Sequence, residues 1–297
     1  MDWEKAKTYI LISFIILNIG LLTMRIWEQN RYNITAERVQ NINTVLQENN
    51  ISLAAGLMRQ TMPMRPLTIS GFYYDIDALL GIFFDGVDYI SLIEDSGRIV
   101  FDTGSSYMII SNGFIFFDNT GGYPHDIGAF LFAETLSDSD ELILPSHEDA
   151  NNLAGDFTSR HFPDFEWDAT FNTDEGVRVI HRQRYRNQII HSNFIEFLVT
   201  ADGITEIEMQ FGRVIGHDGF YRRIFASDEA LLTFMQRVRH IAMVEPITIL
   251  RMDMVYLKED VSDEPGSVSF AEPFYRVFIE GSDDPFLINA FTNVIIS

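Results

Sequence analysis

Residues Tyr9 to Met24, YILISFIILNIGLLTM, carry no charge, and this run constrains the chain more than any other feature. Lys5 and Lys7 precede it; Arg25 and Arg31 follow. As a helix from Tyr9 to Trp27, rising ~1.5 Å per residue, it is roughly 28 Å long, close to the ~30 Å hydrocarbon core of a bilayer. Tyr9 and Trp27 suit the two headgroup boundaries, and Lys7 and Arg25 can reach outward from them. The exit, Met24-Arg25-Ile26-Trp27-Glu28, lacks the small residues of a signal-cleavage site. Ser13, Asn18 and Thr23 form no continuous polar stripe of the kind a buried soluble helix shows. The expectation is a retained transmembrane helix over 9–27 behind a short cytoplasmic leader, 1–8. An eight-residue leader is too short to be a domain, so the N-terminus is expected inside and the folded remainder outside.

The chain has 297 residues and a net charge of −22. Beyond residue 31, 17 basic side chains face 40 acidic ones, a surface that repels phosphate backbones and argues against nucleic acid as a partner. With no cysteine, disulfides, thiolate catalysis and Cys-ligated metals are excluded. The 25 Phe are ample for a large core.

After the span, Asn33 and Thr35 offer helix caps and Val39, Ile42 and Leu46 recur at helical spacing up to Asn49-Asn50. Short strands are predicted at Ile51–Leu53 and Leu67–Ile69, and a helix over Asp75–Phe84. Residues 87–122 read as a β-meander, with turns at Asp95-Ser96-Gly97, Asp102-Thr103-Gly104, Ser111-Asn112-Gly113 and Asn119–Gly122. The polar stretch 134–168 reads as a long connection with a helix near Asp138–Leu144. Strands follow at Val177–Tyr185, Gln188–Thr200 and Thr205–Ile215, the last two joined by Ala201-Asp202-Gly203. A helix capped by Ser227, with Leu231, Phe234, Met235, Val238 and Ile241 as its stripe, precedes a strand at Ile247–Leu257. Beyond the loop Glu259–Gly266, the chain closes with a hairpin of Phe274–Ile279 and Phe286–Ile296. The fold class is α+β: a transmembrane helix, then an antiparallel-sheet-rich ectodomain. Subdomains are expected over 33–168 and 169–297, and the pattern leaves room for the two to be related.

The opening Met1-Asp2-Trp3-Glu4-Lys5-Ala6-Lys7, leading into a span with Leu17-Asn18, resembles the YycI (WalI) family of membrane-anchored regulators in Gram-positive bacteria. The helix after the span, the passage from Asn50-Ile51 to Pro63, and the closing Pro273-Phe274-Tyr275-Arg276-Val277-Phe278 with Asn289-Ala290-Phe291-Thr292 are similar too. The closing pair also resembles the terminal hairpin of PepSY-like domains. The family's tail more often reads Thr-Gly where this chain has Thr292-Asn293, and Asn tolerates the left-handed turn. The resemblance covers both ends of the chain, and the middle only by order of elements. It implies an ectodomain that is not an enzyme, has no cofactor, and binds a WalK-like sensor histidine kinase together with a YycH-like protein.

Ile99-Val100-Phe101-Asp102-Thr103-Gly104 resembles the aspartic-protease motif, whose chemistry needs a second Asp sharing a proton. The nearest similar triplet, Asp95-Ser96-Gly97, belongs to the preceding turn of the same meander, so an ordinary turn is expected. His125, His147, His161, His181, His191, His217 and His240 have no ligand spacing, although His181 and His191 are placed to face each other across a hairpin. Asp138, Asp140 and Glu141 lack the glycine of a calcium loop. Within the span, Asn18 seeks a hydrogen bond and Gly20 admits a close backbone. Lys7, Asn18, Gly20, Arg25 and Trp27 are therefore the candidate membrane and partner-helix residues, with no catalytic, cofactor or metal site. The alternatives are a membrane-tethered cell-envelope hydrolase, using Asp102 or Asp138–Glu141, and a small-ligand-binding module.

Overall fold

The structure, a computed structural model, describes residues 3–31, 34–58, 62–71, 75–93, 98–111, 114–119, 144–258, 267–282 and 284–296; in the first helix it describes the side chains of Trp3 and of 7–24 alone. Among the described residues, five helices and fourteen strands follow in order. They are α1 (Trp3–Arg31), α2 (Ala36–Glu48), β1 (Ile51–Leu53), β2 (Leu67–Ser70), α3 (Ile76–Phe83), β3 (Ile90–Ile93), β4 (Ile99–Asp102), β5 (Tyr107–Ser111) and β6 (Phe114–Asp118). Then come α4 (His147–His161), β7 (Phe165–Asn172), β8 (Val177–Tyr185), β9 (Gln188–Thr200), β10 (Gly203–Gln210), β11 (Val214–His217), α5 (Ser227–Ala242), β12 (Ile247–Lys258), β13 (Val268–Ile279) and β14 (Phe286–Asn289). The result is the expected mixed α+β fold with largely antiparallel pairing; β1–β12 and β12–β9 are parallel.

These elements form two compact units. The first comprises Met1–Met64, Arg222–Asp253 and Tyr275–Ser297; the second comprises Arg65–Tyr221 and Met254–Phe274. They interleave and do not coincide with the division expected at 168. The physical reason is the length of β12 and β13: each strand runs on past the point where one unit ends and the other begins.

In the first unit, Thr35 caps α2 by accepting the Arg38 N–H at 3.3 Å, and Ile42 and Leu46 are buried. The Arg38 guanidinium reaches Asp228 at the start of α5, Nη2 to Oδ2 2.6 Å. The predicted cap of α5 is displaced by one residue. Ala226 occupies the cap position and has no side-chain acceptor, so the Glu229 carboxylate accepts the Ala226 N–H at 2.8 Å. The Ser227 hydroxyl instead donates to the Met58 carbonyl at 2.7 Å. Leu231, Phe234 and Val238 are buried as expected, while Ile241 is exposed and Ala242 takes the inward place. Closing the chain, β14 pairs with β13, and the Asn289 side chain accepts the N–H groups of Phe291 and Thr292. Asn293 adopts φ 58°, the left-handed conformation expected of it. Arg276, on β13, is 0% exposed and donates through Nε and Nη2 to the two oxygens of Asp253, each at 2.8 Å.

In the second unit, β3–β4–β5–β6 form the predicted meander, which continues through β10 to β9. α3 and α4 bury one face of it. Phe83 stacks on Phe117 at 4.7 Å and Phe157 meets Phe197 edge-on at 5.5 Å. The helix α4 and the strand β7 occupy residues expected to be a connection. Ser146 caps α4 by accepting the Asp149 N–H, and Ala150, Leu153, Ala154 and Phe157 recur at helical spacing beneath a polar sequence. The helix predicted near Asp138–Leu144, the turn at Asp95–Gly97 and the loop Glu259–Gly266 fall outside the described residues, apart from Leu144.

Two predictions concern these cores. Arg276→Ala leaves Asp253 without its bidentate partner in a largely buried setting, and is expected to lower unfolding free energy by about 3 kcal/mol in urea titrations. His181, on β8, is 3% exposed, lies edge-on to Phe197, and has no hydrogen-bond partner at either ring nitrogen. Burial pushes its pKa down to about 4 from an ordinary 6.5. Its neutral form is therefore favoured on folding: the full stability is present above pH 6.5 and is lost as pH falls toward 4. By linkage the loss is about 2 kcal/mol between pH 7.5 and 5. Urea midpoints of the native chain should fall over that range, and those of His181→Phe should fall markedly less.

Candidate functional site

Two features stand apart from ordinary packing. The first is α1. Its window from Lys7 to Met24 is long and apolar enough to cross a membrane, and none of it is buried against the other described residues. Asn18 donates its Nδ2 to the Phe14 carbonyl one turn back, at 2.8 Å, and Thr23 donates to the Gly20 carbonyl at 2.9 Å. A polar side chain in a helix can thus satisfy part of its demand on its own backbone. Nothing stands within 4 Å of a Cβ placed on Gly20. Asn18 and Gly20 are two residues apart, about 200° around the helix, so one partner helix cannot meet both. The Lys7 ammonium lies 5.4 Å from the Trp3 ring centroid. The side chains of Arg25 and Trp27 lie outside those described.

The motif residues beyond α1 separate from one another. Asp102 is exposed at the β4–β5 turn, where its Oδ1 accepts the Gly104 N–H at 2.6 Å and Gly104 takes φ 86°. Thr103 Oγ1 accepts the N–H groups of Ser105 and Ser106. Both side chains therefore lock a tight turn. His181 pairs with Ile195 rather than facing His191. His147 meets Asn172 at 2.9 Å, and His240 is exposed in the last turn of α5. His125, Asp138, Asp140 and Glu141 fall outside the described residues, among which no three His, Asp or Glu side chains are grouped to hold a metal ion.

The second feature is a cavity that the sequence reading missed. It forms where β9 breaks its own register. Along one edge of β9, Arg182 of β8 pairs with Phe194, but the next β8 residue, Gln183, pairs with Ile190. His191, Ser192 and Asn193 are thereby excluded from the β8 ladder. On the other edge, Ile189 and Ile190 pair in parallel with Val255 and Tyr256 of β12, and pairing with β10 starts at Phe194. The same three residues fall in that gap too. Side chains replace the missing ladder. Asn193 donates to the Gln183 side chain at 2.6 Å and to the Gly212 carbonyl at 2.9 Å, and accepts the Gly212 N–H. Arg182 donates to the His191 carbonyl. Gly212 must lack a side chain, because a Cβ there would run into the Ser70 carbonyl oxygen and come within 2.7 Å of Ile69 Cγ2. Bulges of this kind re-aim side chains and interrupt pairing near functional sites.

The resulting cavity, about 290 Å³, has apolar walls from Ile69, Phe194 and Leu257 and charged ones from Arg182, Glu196 and Lys258. Lys258 is 7% exposed. Arg182 is nearly buried and its Nε pairs with Asp168 at 2.9 Å. Ser192 Oγ is buried with no hydrogen-bond partner. Beside the cavity, Glu196 and Glu208 stand directly opposite each other on β9 and β10, and Arg178 binds Glu196 at 2.6 Å. Burial, with Glu196 adding to it, holds the Glu208 carboxyl above its ordinary pKa; burial does the same to Glu206. One sequence signal marks the place: the polar triplet His191-Ser192-Asn193 interrupts the apolar alternation between Ile190 and Ile195.

No protein-family model and no curated protein sequence matches this chain. Among solved structures, the chain is similar to an uncharacterised protein from Eubacterium rectale, with a TM-score of 0.53 at 9% identity, covering 84% of this chain and 91% of that one. It also aligns with the C-terminal domain of YpeB from Bacillus megaterium, with a TM-score of 0.41 at 13% identity over 76% of this chain and 96% of that one. The first likeness is one of fold, an α+β architecture shared across almost the whole of the smaller chain.

Proposed function

We propose that this chain is a single-pass membrane protein, N-terminus in the cytoplasm and body outside, that binds and modulates a sensor histidine kinase of the WalK type in company with a YycH-like protein, without catalysis of its own. The observation that carries the reading is α1, whose apolar surface from Lys7 to Met24 finds no cover in the chain itself. The family resemblance at Met1–Lys7 and Pro273–Phe278 supplies the kind of partner. Asn18 lies about 4 Å past the middle of the apolar window, deep in hydrocarbon. Its amide spends one donor on Phe14, leaving a second donor and the acceptor oxygen for a neighbouring helix. Such a bond is worth ~0.5–2 kcal/mol between helices in lipid. Regulation then needs only contacts that differ between the kinase's two signalling states; a coupling of ~1–3 kcal/mol changes output many-fold.

A photo-crosslinking residue at Leu22, one turn from Asn18 on the same face, should capture a membrane kinase in intact bacterial membranes. Asn18→Leu should reduce that capture about two- to thirty-fold, the range that follows from the bond's strength. Capture of no membrane protein from Leu22 or from Gly20 on the other face would sink the reading. Equal capture by the variant would remove Asn18 from the contact.

A further inference from the structure

We infer that the free edge of β3 is a docking site for an extended segment of another protein, apolar along most of its length and basic where it passes Asp88 and Asp102. The site does not depend on the membrane contact of α1. The backbone is the first observation. Among the described residues, β3 pairs with β4 alone and ends the sheet. In an antiparallel ladder alternate residues turn their N–H and C=O groups away from the partner strand, so this edge presents a row of donors and acceptors that a further strand can take up. Other margins of the second unit's sheet are guarded. β7, which pairs with β8 alone, is bulged between Trp167 and Ala169, and β11 shifts register between Val214 and Gly216. β3 instead runs in unbroken register against β4, and Ile90–Ile93 contains no proline and no charge. Side chains are the second observation. Ile90, Leu92 and Ile93 are 77%, 58% and 74% exposed. Ser91 pairs with Phe101 of the core, so Ile93 lies on the core face and Ile90 and Leu92 on the other; an added strand extends apolar surface on both. Tyr89 meets Phe101 edge-on at 5.6 Å and ties the start of the strand to that core, so the edge is held in place before a partner arrives. Charge selects the occupant. Asp85, Asp88 and Asp102 are exposed around the start of β3, with Asp102 directly opposite Ile90, whereas Arg98 at the far end is half-buried and has partners of its own. A second copy would bring the same carboxylates and a net charge of −22 to this edge; a basic segment neutralises them.

The probe is the peptide acetyl-RVTVIR-amide, a strand former with basic ends. It is titrated into the full chain in nanodiscs of zwitterionic lipid while amide hydrogen exchange is followed by mass spectrometry. The expected result is a saturable slowing of exchange over Ile90–Ile93, with none at β7 or β11. Acetyl-EVTVIE-amide should bind about tenfold more weakly, and Asp88→Lys should weaken the basic peptide about fivefold. Leu92→Lys, which gives the exposed edge the guard it lacks, should weaken it by a similar factor. The basic peptide methylated on its central backbone nitrogens should not bind. No slowing over Ile90–Ile93 would overturn the site. Equal binding of the acidic peptide would overturn the basic assignment, and equal binding of the methylated one would overturn strand addition. Slow exchange of all these amides in the free, dilute chain would show the edge already covered by the chain itself. Slowing with chain concentration alone would make a second copy the occupant. Either result overturns the inference without recourse to a variant.

Discussion

The second unit depends on one backbone constraint: β9 must satisfy its N–H and C=O groups on both edges although its partners change along its length. Buried peptide groups left unpaired cost a large part of a domain's stability. β9 meets β8 on one side, and β12 followed by β10 on the other. The two arrangements are reconciled by three excluded residues. The number matters. Val179 and His181 of β8 lie on the face that packs under α4, and Gln183 continues their alternation. Their partners on β9 are Phe197, Ile195 and Ile190. Ile190 and Ile195 are five apart, an odd separation that would put them on opposite faces of a regular strand. An odd insertion returns both to the same face. The bulge is therefore what keeps Ile190 and Ile195 on one face of a continuous strand whose partners change along its length, and the cavity lies at that break.

Charge is handled by the same local logic. Carboxylates so outnumber cations that buried guanidinium groups find acidic partners: Arg182 with Asp168, Arg178 with Glu196, Arg276 with Asp253. The fork of arginine donors suits such pairing, and removal of either member leaves a buried charge exposed to a low dielectric. The surplus acid shows where two carboxylates meet. Glu196 and Glu208 face each other across β9 and β10, with Arg178 engaged by one of them, and burial, with Glu196 adding to it, makes Glu208 hold its proton more tightly.

Much of the architecture was legible because its signals are local. The limits of β8 and β9 follow from alternation, α2 from Thr35 and its apolar spacing, and the final turn from the tolerance of Asn293 for positive φ. Errors arose where a signal was weak against its background. α4 is rich in Asp, Asn and His, and its apolar stripe uses two alanines, so a polar average concealed a regular helix. The α5 cap shifted because Glu229 can reach back to Ala226, which freed Ser227 to bond Met58, far away in sequence. The interleaving of the two units and the cavity were not legible at all. Both depend on which strand lies beside which, and pairing between residues as distant as Ile190 and Tyr256 leaves no mark in either segment alone. Within α1, spacing did carry information that residue type did not: Asn18 and Gly20 are each suited to a helix contact, yet they face opposite ways.

The balance of forces on α1 sets what would distinguish one neighbouring helix from another in a bilayer. Ten Ile, Leu and Phe side chains between Ile10 and Leu22 are exposed. At ~1.5–3 kcal/mol each when buried, they represent on the order of 15–30 kcal/mol, more than the ~5–15 kcal/mol that stabilises an ordinary domain. A bilayer around α1 would supply that burial in full. Once it has done so, a neighbouring apolar helix offers nothing further by the hydrophobic effect, since acyl chains are as apolar as leucine. Selectivity between one neighbour and another must then come from the few positions where lipid is a poor substitute for protein. Asn18 is such a position because hydrocarbon cannot accept its second N–H or donate to its oxygen. On the proposed reading, the strong apolar term places the helix in the bilayer, and a single weak polar term is left to decide beside which helix it rests.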